Sequence, residues 1–354
     1  MYFASDNAVG ASPEVIEAIV RANEGPQPSY AGDEYTKRAE EMFSELFERE
    51  VTALLMTTGT AANALGLASI TPSYRAVLSH SDAHVMVDEC AATEFYTGGS
   101  KLMPVWGTDG KITAGGLKNK LASTGVRPPH DIIPASLSLT QATESGTLYS
   151  LAELAGLTEI ARGHDLRVHM DGARFSNAVA ALDCSPAEMT WKAGVDALTF
   201  GITKNGAMAG DAIIFFDPDL AESAPFRRMQ AGHLWSKGRY LGAQFCAMLE
   251  GDLWLENARH ANKMAATLAE GLSAITDVRL SAPCQANEVF PVLPRALHDA
   301  LKAAGAVYHE WPGIPPKGEG SIAEDEVLVR FVTSFKTDPD EVERLLDTAT
   351  GASA

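Results

Sequence analysis

The sequence contains only four cysteines, Cys90, Cys184, Cys246 and Cys284, all far apart and none in a C-x-x-C pair. That argues against a disulfide framework and offers no zinc-ligand spacing, so no metal site is expected and a reducing, cytoplasmic setting fits best. Basic residues are scarce too: 28 Lys and Arg against 46 Asp and Glu leave a formal charge of -18. With no Lys/Arg-rich run, such a surface repels nucleic acid and anionic lipid, and neither is expected as a partner. No apolar run approaches the length that spans a bilayer. The opening Met1-Tyr2-Phe3-Ala4-Ser5-Asp6-Asn7 lacks the basic start and apolar stretch of a secretory signal. G-x-G-x-x-G follows no strand-like segment and Gly-Lys-Ser/Thr is absent, which disfavours a Rossmann dehydrogenase and a Walker-type nucleotide site.

What is present is 354 residues, 46% hydrophobic and 21% charged, enough for a large buried core and two domains. From about residue 50 to 220, short apolar runs alternate with helix-length amphipathic segments, the pattern of parallel strands joined by crossover helices. The runs are 52–56, 75–78, 135–139, 166–170, 197–201 and 212–216; the last follows its neighbour too closely for a crossover and is expected to be antiparallel. A long helix over 237–275 is expected to lead into a smaller α+β lobe, with strands at 278–280, 289–292 and 327–332 and a helix at 294–304. A closing helix is expected with Asp338 as N-cap, Pro339 first and Glu341 completing a capping box. The organisation read from this is an N-terminal arm over 1–25, a large domain over 26–245 and a small C-terminal domain over 246–354.

Three segments at strand ends carry chemistry. Thr57-Thr58-Gly59-Thr60-Ala61-Ala62-Asn63 follows one strand and opens a helix, where free N–H groups form an anion cradle; alone, it is equally a capped turn. His169-Met170-Asp171-Gly172-Ala173-Arg174 puts an aspartate where α/β folds place ligand groups, although an aspartate there also serves as a helix cap. Arg174 adds a cation suited to a carboxylate or phosphate, or is a surface arginine. Thr203-Lys204-Asn205-Gly206 follows another strand, and a lone loop lysine is ordinarily solvated. In combination the three change meaning. Pyridoxal phosphate needs a lysine for its aldehyde, a carboxylate for its pyridine nitrogen and a cradle for its phosphate, and these motifs supply them in that fold's order.

At these residues the chain resembles the L-threonine aldolases, particularly their low-specificity bacterial branch, in the aspartate aminotransferase superfamily of fold type I pyridoxal-phosphate enzymes. The resemblance runs nearly the whole length. Besides the three motifs it rests on Phe3-Ala4-Ser5-Asp6-Asn7, Tyr30-Ala31-Gly32-Asp33-Glu34, Ala83-His84 with Asp88-Glu89-Cys90-Ala91, Gln141-Ala142-Thr143-Glu144-Ser145-Gly146-Thr147 and Val329-Arg330. It implies an α/β fold whose large domain holds a mostly parallel seven-stranded sheet flanked by helices, followed by a small α+β domain. Lys204 would carry the cofactor as a Schiff base, Asp171 would meet the pyridine nitrogen, Gly59 and Thr60 would receive the phosphate, and His84 would stack on the ring. Ser5, Arg174, Arg330 and Tyr30 would bind substrate. The family's site lies at a subunit interface in a homodimer or homotetramer, with Arg228 reaching the partner's phosphate. His130 stands where the family has a second histidine facing the substrate's β-hydroxyl.

The implied reaction is reversible retro-aldol cleavage of L-threonine, L-allo-threonine and related β-hydroxy-α-amino acids to glycine and an aldehyde, with His84 as base for the β-hydroxyl proton. The same grip on the cofactor serves a β-eliminating lyase or an amino-acid racemase, and both remain alternatives. A cofactor-free binding protein on this fold is disfavoured by the joint presence of Lys204 and Asp171.

Overall fold

The alternation of apolar runs with amphipathic segments resolves into a seven-stranded sheet. The structure is a computed structural model that describes residues 1–311 and 322–353. The strands are β1 (Thr52–Met56), β2 (Arg75–His80), β3 (Lys101–Val105), β4 (Ile133–Thr140), β5 (Arg167–Gly172), β6 (Ala197–Gly201) and β7 (Asp211–Phe215). Across the sheet they lie in the order β1, β7, β6, β5, β4, β2, β3. The pairs from β3 to β6 are parallel, while β7 runs antiparallel to both β6 and β1. The short connection before β7 enforces this, because a parallel return needs a crossover of a dozen or more residues. Strand β3 was not expected, because Pro104 reads against a strand; at the sheet edge its missing N–H is tolerated.

Strands β6 and β7 are buried along their whole length, so both faces must be covered. On one face lies the helix Gly59–Ile70, whose small residues let it approach closely: a Cβ on Gly66 would stand 3.4 Å from Ile213 and 3.7 Å from His169. On the other, Phe43, Phe47, Phe175, Phe200, Phe245 and Trp254 interlock, with the Phe43 and Phe200 rings 5.3 Å apart and edge to face. Each such fully buried aromatic contributes roughly 2–3 kcal/mol of transfer free energy.

The single long helix expected over 237–275 is two helices, Arg239–Leu249 and Leu253–Ser273, because Gly251 and Asp252 between them are left-handed at φ 64° and 62°. The small C-terminal domain is a five-stranded antiparallel sheet of Arg279–Leu280, Glu288–Val289, Pro291–Pro294, His309–Glu310 and Glu326–Val332. The strand expected over 289–292 is split at Phe290, so that Glu288–Val289 and Pro291–Pro294 pair with different stretches of Glu326–Val332. The capping box of the last helix does not form. Asp338 Oδ1 accepts the N–H of Asp340 at 3.0 Å, and the Glu341 carboxylate turns instead to the amino group of Met1 at 3.4 Å.

The first residues are built into this small domain. Phe3 donates its N–H to Val307 O at 2.8 Å, its own carbonyl accepts from Val332 N–H at 2.9 Å, and its ring meets Phe331 edge-on at 6.0 Å. Ser5 and Asp6 are thereby delivered to the seam between the two domains, against Arg174. No described helix is long and apolar enough to cross a membrane.

Candidate active site at the carboxyl edge of the sheet

Strand register determines which loops meet. Thr140 pairs with Asp171, Asp171 with Thr199, Gly201 with Asp211, and Asp211 with Met56. The segments after β1, β4, β5 and β6 therefore open on one edge, where open α/β sheets place their ligands. After β1, Thr58 Oγ1 accepts the N–H of Ala61 at 3.2 Å and Thr58 O accepts that of Ala62 at 3.1 Å. The N–H groups of Gly59 and Thr60 are left without a partner among the described residues. Thr57 Oγ1 and His233 Nδ1 are 2.8 Å apart, and Arg228 lies beside His233, only 7% exposed, its guanidinium with no hydrogen bond or ion pair among the described residues. The expectation for Arg228 concerns a partner's phosphate; within its own subunit the side chain is enclosed beside His233, near the Gly59 turn.

Asp171 ends β5 buried, with Oδ1 accepting the N–H of Ala173 at 3.0 Å. Its Oδ2 accepts from Asn63 Nδ2 at 2.7 Å, and the same nitrogen donates to Glu89 Oε1 at 2.8 Å. Glu89 Oε1 also meets His84 Nδ1 at 2.8 Å. The close approach of the helix at Gly66 is what brings Asn63 over Asp171. The hydrogen bond to Glu89 holds the His84 imidazole above its ordinary pKa, against the opposing effect of burial. Burial pushes the Glu89 carboxyl up. Backbone N–H of His84 donates to Glu144 Oε1 at 2.6 Å, and burial pushes the Glu144 carboxyl up to about 7.

Lys204 sits in the short turn Thr203–Asn205, which Gly206 closes at φ 119°, where a Cβ would strike Ser12. Its amine has no hydrogen bond or ion pair among the described residues, yet its charge is felt by Asp6, Asp211, Glu288 and His84. Burial pushes the Asp211 carboxyl up to about 7, with Lys204 and the Thr203 hydroxyl opposing. Arg174 is not a surface arginine. Its Nε donates to Asp6 Oδ2 at 2.8 Å, one terminal nitrogen to Asp6 Oδ1 at 3.2 Å, and the other lies 3.2 Å from Glu288 Oε2. Glu288 Oε1 is 3.8 Å from Arg330, whose guanidinium lies over the Trp311 ring at 4.2 Å. Burial pushes up the Asp6 carboxyl, but Arg174, Lys204 and Asn287 outweigh it and hold the group low. Ser5 Oγ accepts the N–H of Asn7 at 3.1 Å, next to Asp6.

The structure thus brings Gly59, Thr60, His84, Asp171, Arg174, Lys204, Ser5 and Arg330 toward one edge. Of the remaining three, Arg228 lies near the Gly59 turn, while His130 and Tyr30 are not tied in. His130 is exposed, its backbone N–H on Arg127 O at 2.9 Å, and no described hydrogen bond or ion pair links it to the cluster. Tyr30 is 56% exposed at φ 56°, its N–H on Ser236 O, on a surface cleft it shares with Trp235 and Tyr240. Sequence reasoning gave no role to Asp6, Asn63, Glu89, Glu144, Asp211 or Glu288. Two of them had a local signal: Asn63 is one helical turn past Gly59, and Glu89 follows His84 by little more than a turn.

Comparison with known proteins follows the same lines. The sequence profile of the beta-eliminating lyase family matches residues 2–293. A low specificity L-threonine aldolase of Pseudomonas aeruginosa is 43% identical over 344 residues, 97% of this chain and 95% of that one. The chain belongs to the beta-eliminating lyase family, in its L-threonine aldolase branch. A second low specificity L-threonine aldolase, from a Pseudomonas species, is 42% identical over 88% of this chain and 89% of its own length. Among solved structures, threonine aldolase of Leishmania major superposes with a TM-score of 0.92 at 27% identity, over 100% of this chain and 99% of that one. Serine palmitoyltransferase of Sphingomonas wittichii, at 16% identity and TM-score 0.71, shares the fold of this family member over 99% of the chain.

Proposed function

We propose that this chain is a pyridoxal-phosphate-dependent aldolase that cleaves L-threonine, L-allo-threonine and related β-hydroxy-α-amino acids to glycine and an aldehyde, reversibly. The observation that carries this reading is the connected set His84, Glu89, Asn63 and Asp171, standing at the same sheet edge as Lys204. The cofactor fits the residues present. The unpartnered N–H groups of Gly59 and Thr60, with the enclosed and unpaired Arg228, form a site for a phosphate. Lys204 would hold the cofactor through its amine, Asp171 would keep the pyridine nitrogen protonated, and the His84 ring would cover its face.

When bound, pyridoxal phosphate supplies an electron-withdrawing ring that accepts the pair released as a bond to Cα breaks. The chain's residues then decide which bond breaks. Arg330 and Arg174, with Ser5 beside them, would hold the substrate carboxylate and so fix the orientation about Cα. His84 would take the β-hydroxyl proton as the Cα–Cβ bond opens.

For the family's subunit interface, the exposed cleft of Tyr30, Trp235 and Tyr240 would face a second copy, with Tyr30 serving the partner's site. His130 has no place in this reading. We place the enzyme in the cytoplasm and keep the division into 1–25, 26–245 and 246–354. The family's own description favours one other reaction, β-elimination. Product analysis of the purified holoenzyme tests the choice: glycine with an aldehyde supports the proposal, whereas a 2-oxo acid with ammonia, 2-oxobutanoate when the substrate is threonine, replaces it. Lys204→Ala should abolish both the visible absorbance and turnover.

A further inference from the structure

Glu89 is buried, its Oε1 stands 2.8 Å from both Asn63 Nδ2 and His84 Nδ1, and it has been given no role so far in the proposed reaction. The amide of Asn63 constrains the protons around it. Its Nδ2 lies 2.8 Å from Glu89 Oε1 and 2.7 Å from Asp171 Oδ2; with the amide reversed, its carbonyl oxygen would face two carboxylates with no hydrogen between them. Asn63 must therefore donate to both, and Glu89 Oε1 and Asp171 Oδ2 both accept. Glu89 Oε1 is also 2.8 Å from His84 Nδ1. With that oxygen already accepting, the proton between Glu89 and the ring belongs on Nδ1. The neutral ring is then held as the Nδ1–H tautomer, with the lone pair of Nε2 presented away from Glu89.

We infer that Glu89 is a positioning residue for the retro-aldol step, fixing the His84 tautomer so that Nε2 takes the β-hydroxyl proton, and that Asn63 ties this dyad to Asp171. The inference rests on the reading of His84 as base. During the step the β-hydroxyl proton moves to Nε2, the O–H pair becomes the aldehyde C=O, and the Cα–Cβ pair stays with the substrate's α-carbon. The transient imidazolium is stabilised by Glu89, as second carboxylates stabilise catalytic histidines elsewhere. The groups that face His84 are Glu89, Asp171 on β5 and Lys204 after β6, with Glu144 on its backbone N–H. Of these, Glu89 raises the basicity of the ring most. Replacing its charge therefore lowers the pH at which His84 becomes free base.

The test joins two measurements on the full-length holoenzyme. Imidazole nitrogen NMR, with the His84 signal assigned by its loss in His84→Asn, should show neutral His84 protonated on Nδ1. Glu89→Gln should lower kcat about tenfold or more, within the 10²–10⁴-fold that a general base contributes, leave KM within about twofold, and move the acidic limb of the kcat profile to lower pH. Wild-type His84 carrying its neutral proton on Nε2 would overturn the inference without any variant. So would a Glu89→Gln enzyme with unchanged kcat and acidic limb. A wild-type enzyme that forms no glycine and aldehyde would instead sink the proposed reaction, and the tautomer would still decide the role of Glu89.

Discussion

The carboxylate of Glu144 accepts the backbone N–H of His84 at 2.6 Å. This one bond ties the segment after β4 to the first turn of the short helix His84–Val87, and so fixes the base of the imidazole independently of its ring.

The burial of Glu144 has a consequence for stability against pH. Burial raises both Glu144 and Asp211 to about 7, far above ordinary carboxyls. A raised acid binds its proton more tightly folded than unfolded, so its contribution is fully present below the unfolded pKa and is lost as pH rises through the folded one. Each tenfold gain in proton affinity on folding corresponds to ~1.4 kcal/mol. The apo-protein should therefore lose unfolding temperature between about pH 4.5 and 7, and Glu144→Gln should flatten that slope. A slope unchanged by the substitution would show that Glu144 ionises normally.

Arg174 and Arg330 should separate in their effects. Removing the Arg174 guanidinium leaves buried Asp6 without an ion pair and buried Glu288 with only Arg330 at 3.8 Å, at roughly 3–5 kcal/mol of stability. Arg330→Ala leaves Glu288 paired with Arg174, and should raise KM at least tenfold with a much smaller change in unfolding temperature. Thermal unfolding and steady-state kinetics on the two variants test the division; equal destabilisation would contradict it.

Gly59→Ala should leave the apo fold intact, since the added Cβ would stand at an ordinary 3.5 Å from Asp211 Oδ1. It would intrude on the proposed phosphate cradle, and cofactor affinity should fall about tenfold, or ~1.4 kcal/mol. Fluorescence titration with pyridoxal phosphate measures this, and wild-type affinity would move the phosphate elsewhere.

His169, two residues before Asp171, is fully buried between Ser138 Oγ at 3.0 Å and Thr199 Oγ1 at 3.2 Å, and burial lowers it to about 4. It joins β4, β5 and β6 as a neutral ring. His169→Ala should cost about 2–4 kcal/mol through the cavity and the stranded hydroxyls. Denaturant unfolding measures it, and a loss under about 0.5 kcal/mol would argue against this role.

The sheet was legible because its strands are buried on both faces and therefore read as unbroken apolar runs, and β7 betrayed its direction through the short connection before it. Strand β3 was hidden by Pro104, and the break at Gly251 by a helical pattern that continues in phase on both sides. Lys204, Asp171 and the Gly59 turn were legible because each ends a strand. Asp6 and Glu288 were not: they lie more than 280 residues apart (6 to 288) and meet on Arg174 only because the arm is pinned to the small domain, and no local spacing encodes that contact. Glu89 and Asn63 lay within recognised motifs, but only the approach of the helix to β5 reveals that they share a hydrogen-bonded chain.

The amino terminus is pinned to the last helix through Met1 and Glu341, and to the strand Glu326–Val332 through Phe3. During synthesis the arm must therefore wait for the strand Glu326–Val332 before Ser5 and Asp6 can take their positions. Folding of the large domain and completion of the proposed carboxylate-binding corner are separate events in time. An extension fused to Met1 would strike the second while sparing the first, giving a folded, coloured enzyme with poor grip on its substrate.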